Sequence, residues 1–310
     1  MSLPSRWVIV GASGFLGTNL LHALAPEDGE VVAIDRRAAR WPVIRDGIRY
    51  LERDSREVES YREELVPGAV VVHMASVSYP GKAEQLIESD IQDNVLGTIR
   101  LAQVCADRGV RSFIFISSGG AVYGDVSTSP IPEDALTRPV SAYGAMKVSI
   151  EHYLHINHHL RGLPVACLRP SNPFGLWHGG SGQGAVNVFL AKMLRGGTID
   201  IWGDGSQVRD FVAAEDVVSA IRTVGLLFAS GSETFNVGSG IGRSITEILS
   251  ETQRVAGVTA DIRYLPARSV DVRTNVLDIR KMKERFGWEP TVPFEVALSR
   301  ACDWSRTSLA

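Results

Sequence analysis

Tyr143 and Lys147 stand four residues apart, the spacing that puts two side chains on one face of a helix. A phenol beside an ammonium is a proton-transfer pair, because the positive charge stabilises phenolate over phenol and lets the tyrosine take or give a proton at a reacting oxygen. Upstream, Ser117-Ser118-Gly119-Gly120-Ala121-Val122-Tyr123-Gly124 follows an apolar run and brings hydroxyls and small residues to its end. A Tyr-x-x-x-Lys spacing alone is common on surface helices. Its chemistry depends on which elements surround it.

Those elements alternate. Short apolar runs rich in β-branched residues predict strands at 7–11, 31–35, 48–51, 69–73, 111–117 and 164–169, and helix-period segments predict helices at 15–25, 56–65, 83–108 and 142–160. This is the pattern of an α/β protein: a doubly wound, mostly parallel Rossmann-type sheet whose ligands sit at the carboxyl ends of the strands. After Arg169, Gly, Pro and Asn accumulate. Residues 1–171 therefore read as a nucleotide-binding domain and 172–310 mainly as a smaller α+β substrate domain, with about 211–237 returning to the first domain's sheet. In the second part the pattern predicts helices at 185–194, 216–228, 245–256, 279–286 and 294–305. It predicts an extended pair at 199–202 and 208–211, and strands at 234–237 and 261–264.

The first strand runs into Gly11-Ala12-Ser13-Gly14-Phe15-Leu16-Gly17, and a helix opens at once. The glycines permit a tight turn, close backbone approach to a pyrophosphate, and close helix-to-sheet packing, while the helix N-terminus faces the anion. Asp35 ends the second predicted strand, where a carboxylate accepts both hydroxyls of an adenosine ribose and disfavours a 2′-phosphate. The cofactor expected is NAD. Arg36 and Arg37 read as solvated surface charge.

The 310 residues are 45% hydrophobic and 22% charged, the composition of an ordinary globular chain able to bury a sizeable core. A formal net charge of −3 gives no footprint for nucleic acid or an anionic membrane. Cys105, Cys167 and Cys302 are few, odd in number and far apart, so neither a disulfide framework nor a thiolate metal site is expected. With no secretory leader and no apolar run of membrane-spanning length, the chain reads as cytoplasmic. His152, His155, His158 and His159 read as a solvated helix face, not as metal ligands.

The spacing Gly-x-x-Gly-x-x-Gly, with the serine-rich strand end and Tyr143-Gly144-Ala145-Met146-Lys147, resembles the extended short-chain dehydrogenase/reductases. Within them the chain resembles the UDP-glucose/UDP-galactose 4-epimerase group over nearly its whole length. The resemblance implies that Asp54 and Ser55 contact the adenine, and that Met74, Ala75, Ser76, Asn94 and Ser117 lie beside the cofactor. Arg169-Pro170-Ser171-Asn172-Pro173-Phe174-Gly175 is similar to the segment whose Asn touches the sugar nucleotide, and Asn187 is expected as a further substrate contact. Arg209 and Arg268 match arginines that grip the diphosphate, Asp271 an acid used on the nucleoside ribose, and Asn275 a position that gates the space beside the sugar C2. Two forked guanidinium groups on one diphosphate suit a chain with no general basic surface. Asn275 facing water is the other reading of that position.

One departure stands out. The family's strand-end motif supplies a Ser or Thr hydroxyl to the sugar where this chain has Gly119. Ser118, by a local shift, or a water in the room left by Gly119 and Gly120, would have to replace it.

The resemblance implies that Tyr143, as phenolate, removes the 4-hydroxyl proton while NAD accepts the C4 hydride, and that the tethered 4-keto sugar turns over and is reduced on its other face. A 4,6-dehydratase is disfavoured, because Gly120-Ala121 stands where an Asp-Glu pair is expected. A nucleotide-sugar 4-ketoreductase and a UDP-uronic acid decarboxylase stay open on the same fold. So does a non-catalytic NAD- and nucleotide-sugar-responsive binding protein. A homodimer through the helices at 83–108 and 142–160 is implied by the resemblance alone.

Overall fold

A computed structural model describes residues 3–44, 46–78, 83–85, 87–180, 182–268 and 272–309. Seven parallel strands form the central sheet. β1 (Arg6–Val10) is followed by α1 (Phe15–Ala23), β2 (Glu30–Asp35), β3 (Ile48–Glu52) and β4 (Ala69–His73). A helical turn α2 (Ile87–Ser89), a π-helical stretch at Asp90–Leu96 and α3 (Gly97–Asp107) lead to β5 (Ser112–Ile116), and α4 (Ala142–Arg161) leads to β6 (Val165–Pro170).

The chain then leaves the sheet through β7 (Asn172–Phe174), α5 (Ala185–Leu194), β8 (Ile199–Trp202) and β9 (Val208–Ala213). It returns by α6 (Ala214–Leu227) and β10 (Ser232–Val237). β11 (Gly242–Ser244), α7 (Ile245–Ala256), β12 (Ile262–Leu265), β13 (Thr274–Asn275), α8 (Arg280–Phe286) and α9 (Phe294–Ser308) complete it. The sheet order is β10-β6-β5-β4-β1-β2-β3.

Alternation along β1 shows why both faces are covered. Trp7 and Ile9 pack with Leu20 and Leu21 of α1 and Val217, Ile221 and Val224 of α6, whereas Val8 and Val10 face Leu101 and Cys105 of α3 and Ile150 and Leu154 of α4. A third cluster joins α5, α7 and α9 under the second, smaller set of strands.

Three local expectations change. The segment 56–65 is not an α-helix but two short 3₁₀ pieces within Val58–Glu64, joined across a kink at Tyr61 (φ −134°), with Val58 and Tyr61 buried. The expected helix 83–108 is broken among its described residues: π winding at Asp90–Leu96 brings Asp90 and Asn94 inward together before regular α-geometry resumes at Gly97. The strands at 199–202 and 208–213 do not pair with each other. β8 pairs with β12, while β9 takes β11, β13 and β7 as neighbours.

Candidate active site

The carboxyl ends of β1, β2 and β4 open onto a cavity of about 790 Å³. Gly11 sits at φ +93°, and a Cβ there would lie 2.5 Å from the Ala75 nitrogen, so only glycine lets this turn pass against the exit of β4. Gly17 is equally confined: a Cβ would press on the Gly11 carbonyl and on Ala12. No side chain caps the start of α1 at Gly14, so the helix N-terminus is left to an anion. Asp35 accepts the Ser13 backbone N–H at 3.0 Å and that of Arg37 at 3.1 Å, and Ser13 Oγ donates to the Arg37 carbonyl at 3.0 Å. Gly11, Ser13, Gly14, Phe15, Asp35, Asp54, Ser55, Met74, Ala75, Ser76 and Asn94 all line this cavity.

Arg36 and Arg37 are not surface charge alone: they rim the same cavity, with Arg40 and Trp41 beside them. Asp54 holds Arg56, whose guanidinium keeps its carboxyl below the usual range and reaches on to Asp93 at 2.8 Å. Opposite them, a stretch the sequence marked only by its glycines supplies Trp177, His178 and Gln183. Trp177 stacks on His22 with ring centres 3.9 Å apart, and His178 meets the Phe15 edge at 4.8 Å. Burial pushes the His178 imidazole down to about 4, so this wall is neutral. A glycine turn that only glycine fits, an unobstructed helix start and a ribose-height carboxylate around an open cleft suit a dinucleotide.

The proton-transfer pair lies on the first two turns of α4, whose start is capped by Ser141 Oγ accepting the Gly144 N–H at 3.2 Å. Tyr143 and Lys147 are both buried. Lys147 Nζ donates to the Ile116 carbonyl at 2.8 Å and lies 5.6 Å from the Tyr143 ring centre and 4.7 Å from that of Phe115. Burial pushes the Lys147 ammonium down to about 8, partly offset by Glu151, Asp90 and Cys167, and pushes the Tyr143 phenol above the ordinary tyrosine range. The protein alone therefore keeps Tyr143 a phenol. A further positive charge beside the ring, as a nicotinamide brings, is what this environment lacks for phenolate.

Behind the pair, Arg169 grips Glu151 through Nη2 at 2.6 Å and Nε at 3.0 Å, and its Nη1 donates to Tyr123 Oη at 2.8 Å. Tyr123 Oη donates to Asn236 Oδ1 at 2.7 Å, which ties β6, α4 and β10 into one buried network. The Ser117 hydroxyl is buried without a partner among the described residues, and the Ser118 hydroxyl, half-buried, bonds to none of them.

Several expectations are corrected here. No room is left at Gly119, since a Cβ there would lie 2.5 Å from Leu277 Cδ1 and 2.9 Å from the Arg169 carbonyl; the open position is Gly120, which faces Ser171 and Asn172 at 3.6–3.9 Å. Asn275 does not face water: it is 1% exposed, its amide nitrogen donates to the Gly119 carbonyl at 3.0 Å, and its oxygen is buried without a partner among the described residues. Asn187, expected as a substrate contact, is buried and holds the Gly175 backbone with both ends of its amide, accepting at 3.0 Å and donating at 2.7 Å.

Asn172 donates to the Asp210 carbonyl at 2.9 Å. Arg209 lies on β9 in register with Asn275 of β13. Arg268 lies beyond β12 on a separate sheet, exposed, with its guanidinium 4.9 Å from the centre of the Trp202 ring. Asp271 lies outside the described residues.

The model of the NAD dependent epimerase/dehydratase family matches residues 7–238. The chain belongs to this family. It is 31% identical to a UDP-glucose 4-epimerase of Mycolicibacterium smegmatis over 97% of this chain and 98% of that one. The solved UDP-glucose 4-epimerase of Thermotoga maritima, determined with UDP-glucose, superposes with a TM-score of 0.90 at 30% identity, covering 98% of this chain and all of that one. The UDP-glucose 4-epimerase of Thermus thermophilus, a complex with NAD, gives 0.88 at 28% identity over 98% and 99%. Less similar curated relatives include dTDP-glucose 4,6-dehydratases and UDP-glucuronate 4-epimerases. This member of the epimerase/dehydratase family is thus a Rossmann-type enzyme whose cofactor is NAD. Among the described residues no helix is long and apolar enough to cross a membrane.

Proposed function

We propose that this family member inverts C4 of a UDP-hexose through a transient 4-keto sugar. The observation that carries the reading is the buried Tyr143–Lys147 pair on α4, in a fold whose strand ends open onto a cleft suited to a dinucleotide. Similarity to UDP-glucose 4-epimerases over almost the full chain supports it. NAD, when bound, supplies hydride acceptance and return. Every other task falls to the chain's own residues.

Tyr143, as phenolate, takes the proton of the sugar 4-hydroxyl, holds it as a phenol while the 4-keto ring turns, and gives it back on reduction; Lys147 stabilises the phenolate that opens and closes the cycle. Gly11, Ser13, Gly14, Phe15, Leu16, Gly17, Asp35, Asp54, Ser55, Met74, Ala75, Ser76, Asn94 and Ser117 hold the cofactor. Asn172, Arg209, Arg268 and Asp271 hold the nucleotide diphosphate, so that the sugar end is free to rotate while its tether stays fixed. With Gly119 closed by Leu277, the hydroxyl that assists Tyr143 comes from Ser118 or from a water above Gly120.

A homodimer is part of the proposal. Tyr153, Ile156 and Leu160 form an exposed apolar stripe along α4, and Ile87, Ile91 and Leu96 stand exposed on the neighbouring segment.

The test is product analysis after incubation with UDP-glucose, UDP-galactose, UDP-N-acetylglucosamine, UDP-N-acetylgalactosamine and UDP-glucuronic acid, without added reductant. Catalytic interconversion of a C4 pair is the expected result. In a parallel incubation with reduced nicotinamide and a nucleotide 4-keto sugar, stoichiometric consumption of the reductant would favour the second reading, a 4-ketoreductase. That reading draws on the missing hydroxyl at Gly119 and on a dTDP-4-dehydro-6-deoxyglucose reductase of Escherichia coli, 28% identical.

A further inference from the structure

Asp210 is a fully buried carboxylate on β9, one residue beyond Arg209, with no part in the chemistry described so far. Three separate segments converge on it. Ser171 Oγ, at the exit of β6, donates to Oδ1 at 3.2 Å, and the N–H and hydroxyl of Ser239, after β10, donate to the same oxygen at 2.8 and 2.7 Å. The N–H groups of Gly240 and Leu277 donate to Oδ2 at 3.1 and 3.3 Å. A Cβ on Gly238 would press on this carboxylate, so the pocket has no room for a longer acid. The segments it gathers carry the substrate side of the site. Asn172, next to Ser171, donates to the Asp210 carbonyl at 2.9 Å. Leu277 is the residue that closes Gly119, and Asn275, two residues earlier, donates to the Gly119 carbonyl at 3.0 Å. The strand-end segment then reaches Ala121, whose carbonyl a Cβ on Gly144 would meet, beside Tyr143 at the start of α4. None of the residues that bond the Asp210 carboxylate lines the cofactor cavity.

We propose that Asp210 is a positioning residue for the nucleotide diphosphate, the tie that holds Asn172 and Arg209 in one place by fastening the exits of β6 and β10 and residue 277 to β9. The proposal rests on the reading of Asn172 and Arg209 as residues that hold the substrate. The position demands a carboxylate. Every partner donates, and each oxygen faces at least one backbone N–H: that of Ser239 on Oδ1, those of Gly240 and Leu277 on Oδ2. An acid accepts at both oxygens, whereas an amide, whichever way it is turned, points its own N–H groups at another N–H and leaves a buried donor unpaired. The three segments then lose their common anchor, and the substrate residues they carry lose their fixed spacing.

The test measures affinity for UDP and for NAD separately, by titration calorimetry well below the melting temperature, in Asp210→Asn and in a control, Asp216→Asn. Asp216 of α6 is an equally buried carboxylate that accepts the Thr291 N–H and hydroxyl at 2.8 and 3.2 Å and the Val292 N–H at 3.1 Å, and its partners carry none of the proposed substrate residues. Both variants should melt earlier than wild type. Asp210→Asn should weaken UDP binding by about tenfold or more with NAD affinity unchanged, the scale of one misplaced charged contact; Asp216→Asn should change neither affinity. Unchanged UDP affinity in Asp210→Asn, equal losses in the two variants, or a parallel loss of NAD affinity overturns the proposal and leaves Asp210 a purely structural acceptor. If Asp210→Asn does not fold, Ser171→Ala combined with Ser239→Ala decides, since it removes the two hydroxyl donors and keeps the three N–H bonds: UDP affinity should fall by about threefold or more, and an unchanged value overturns the proposal. A wild-type protein that binds NAD but not UDP overturns the substrate reading itself, a failure separate from that of Asp210.

Discussion

At the scale of single residues, the site depends on two charges that burial makes expensive. Replacing Tyr143 by Phe removes the group proposed to exchange the proton; turnover should fall by about 10³-fold or more while NAD and UDP-sugar binding stay near wild type, checked by steady-state kinetics beside ligand titration. The pH dependence follows from Lys147. The free side chain titrates at 10.5 and burial lowers it to about 8, so the ammonium that favours phenolate is lost as pH rises through about 8. Turnover should decline above that value, and an undiminished rate through pH 10 would contradict the role given to Lys147. Gly119 makes a third test. A serine there has to displace Leu277 and press on the Arg169 carbonyl, so Gly119→Ser should lose about 1–3 kcal/mol in denaturant unfolding and gain no rate.

Elements position these residues through a network that carries no chemistry of its own. Arg169 on β6, Glu151 on α4 and Tyr123 after β5 are buried together, and burial raises the Tyr123 hydroxyl to about 12, so it stays a neutral donor to Asn236. Arg169→Met leaves Glu151 buried without its cation. A loss of about 3–5 kcal/mol is expected from thermal or denaturant melts, and Arg169→Met with Glu151→Leu should recover part of it. The same scale explains what local pattern missed. The 3₁₀ pieces within Val58–Glu64 and the π stretch at Asp90–Leu96 both carry helical periodicity, and their winding is chosen by which side chains must turn inward. β7, β11 and β13 span three, three and two residues, too short to show alternation.

For the whole molecule, the exposed stripe of Tyr153, Ile156 and Leu160 is the surface on which a second copy is proposed to pack. Ile156→Glu should convert a dimer to monomers in size-exclusion chromatography with light scattering, with the fold retained. A wild type that is monomeric at every concentration would refute that assembly.

What the sequence by itself determined is what neighbours along the chain decide. It set the α/β alternation, strand positions to within a residue or two, the glycine turn entering α1, Asp35 at the end of β2, and the four-residue spacing of Tyr143 and Lys147. Each is a short-range pattern with one satisfactory backbone geometry. Only the tertiary structure decided that Asn275, 156 residues from Gly119, bonds its carbonyl, and that Leu277 fills the space a hydroxyl would need. It also decided that Asn187 serves the Gly175 turn, and that Lys147 is buried with its ammonium on the Ile116 carbonyl. Those outcomes come from long-range packing and desolvation, whose costs depend on which distant groups the fold brings into contact, and no local pattern encodes that.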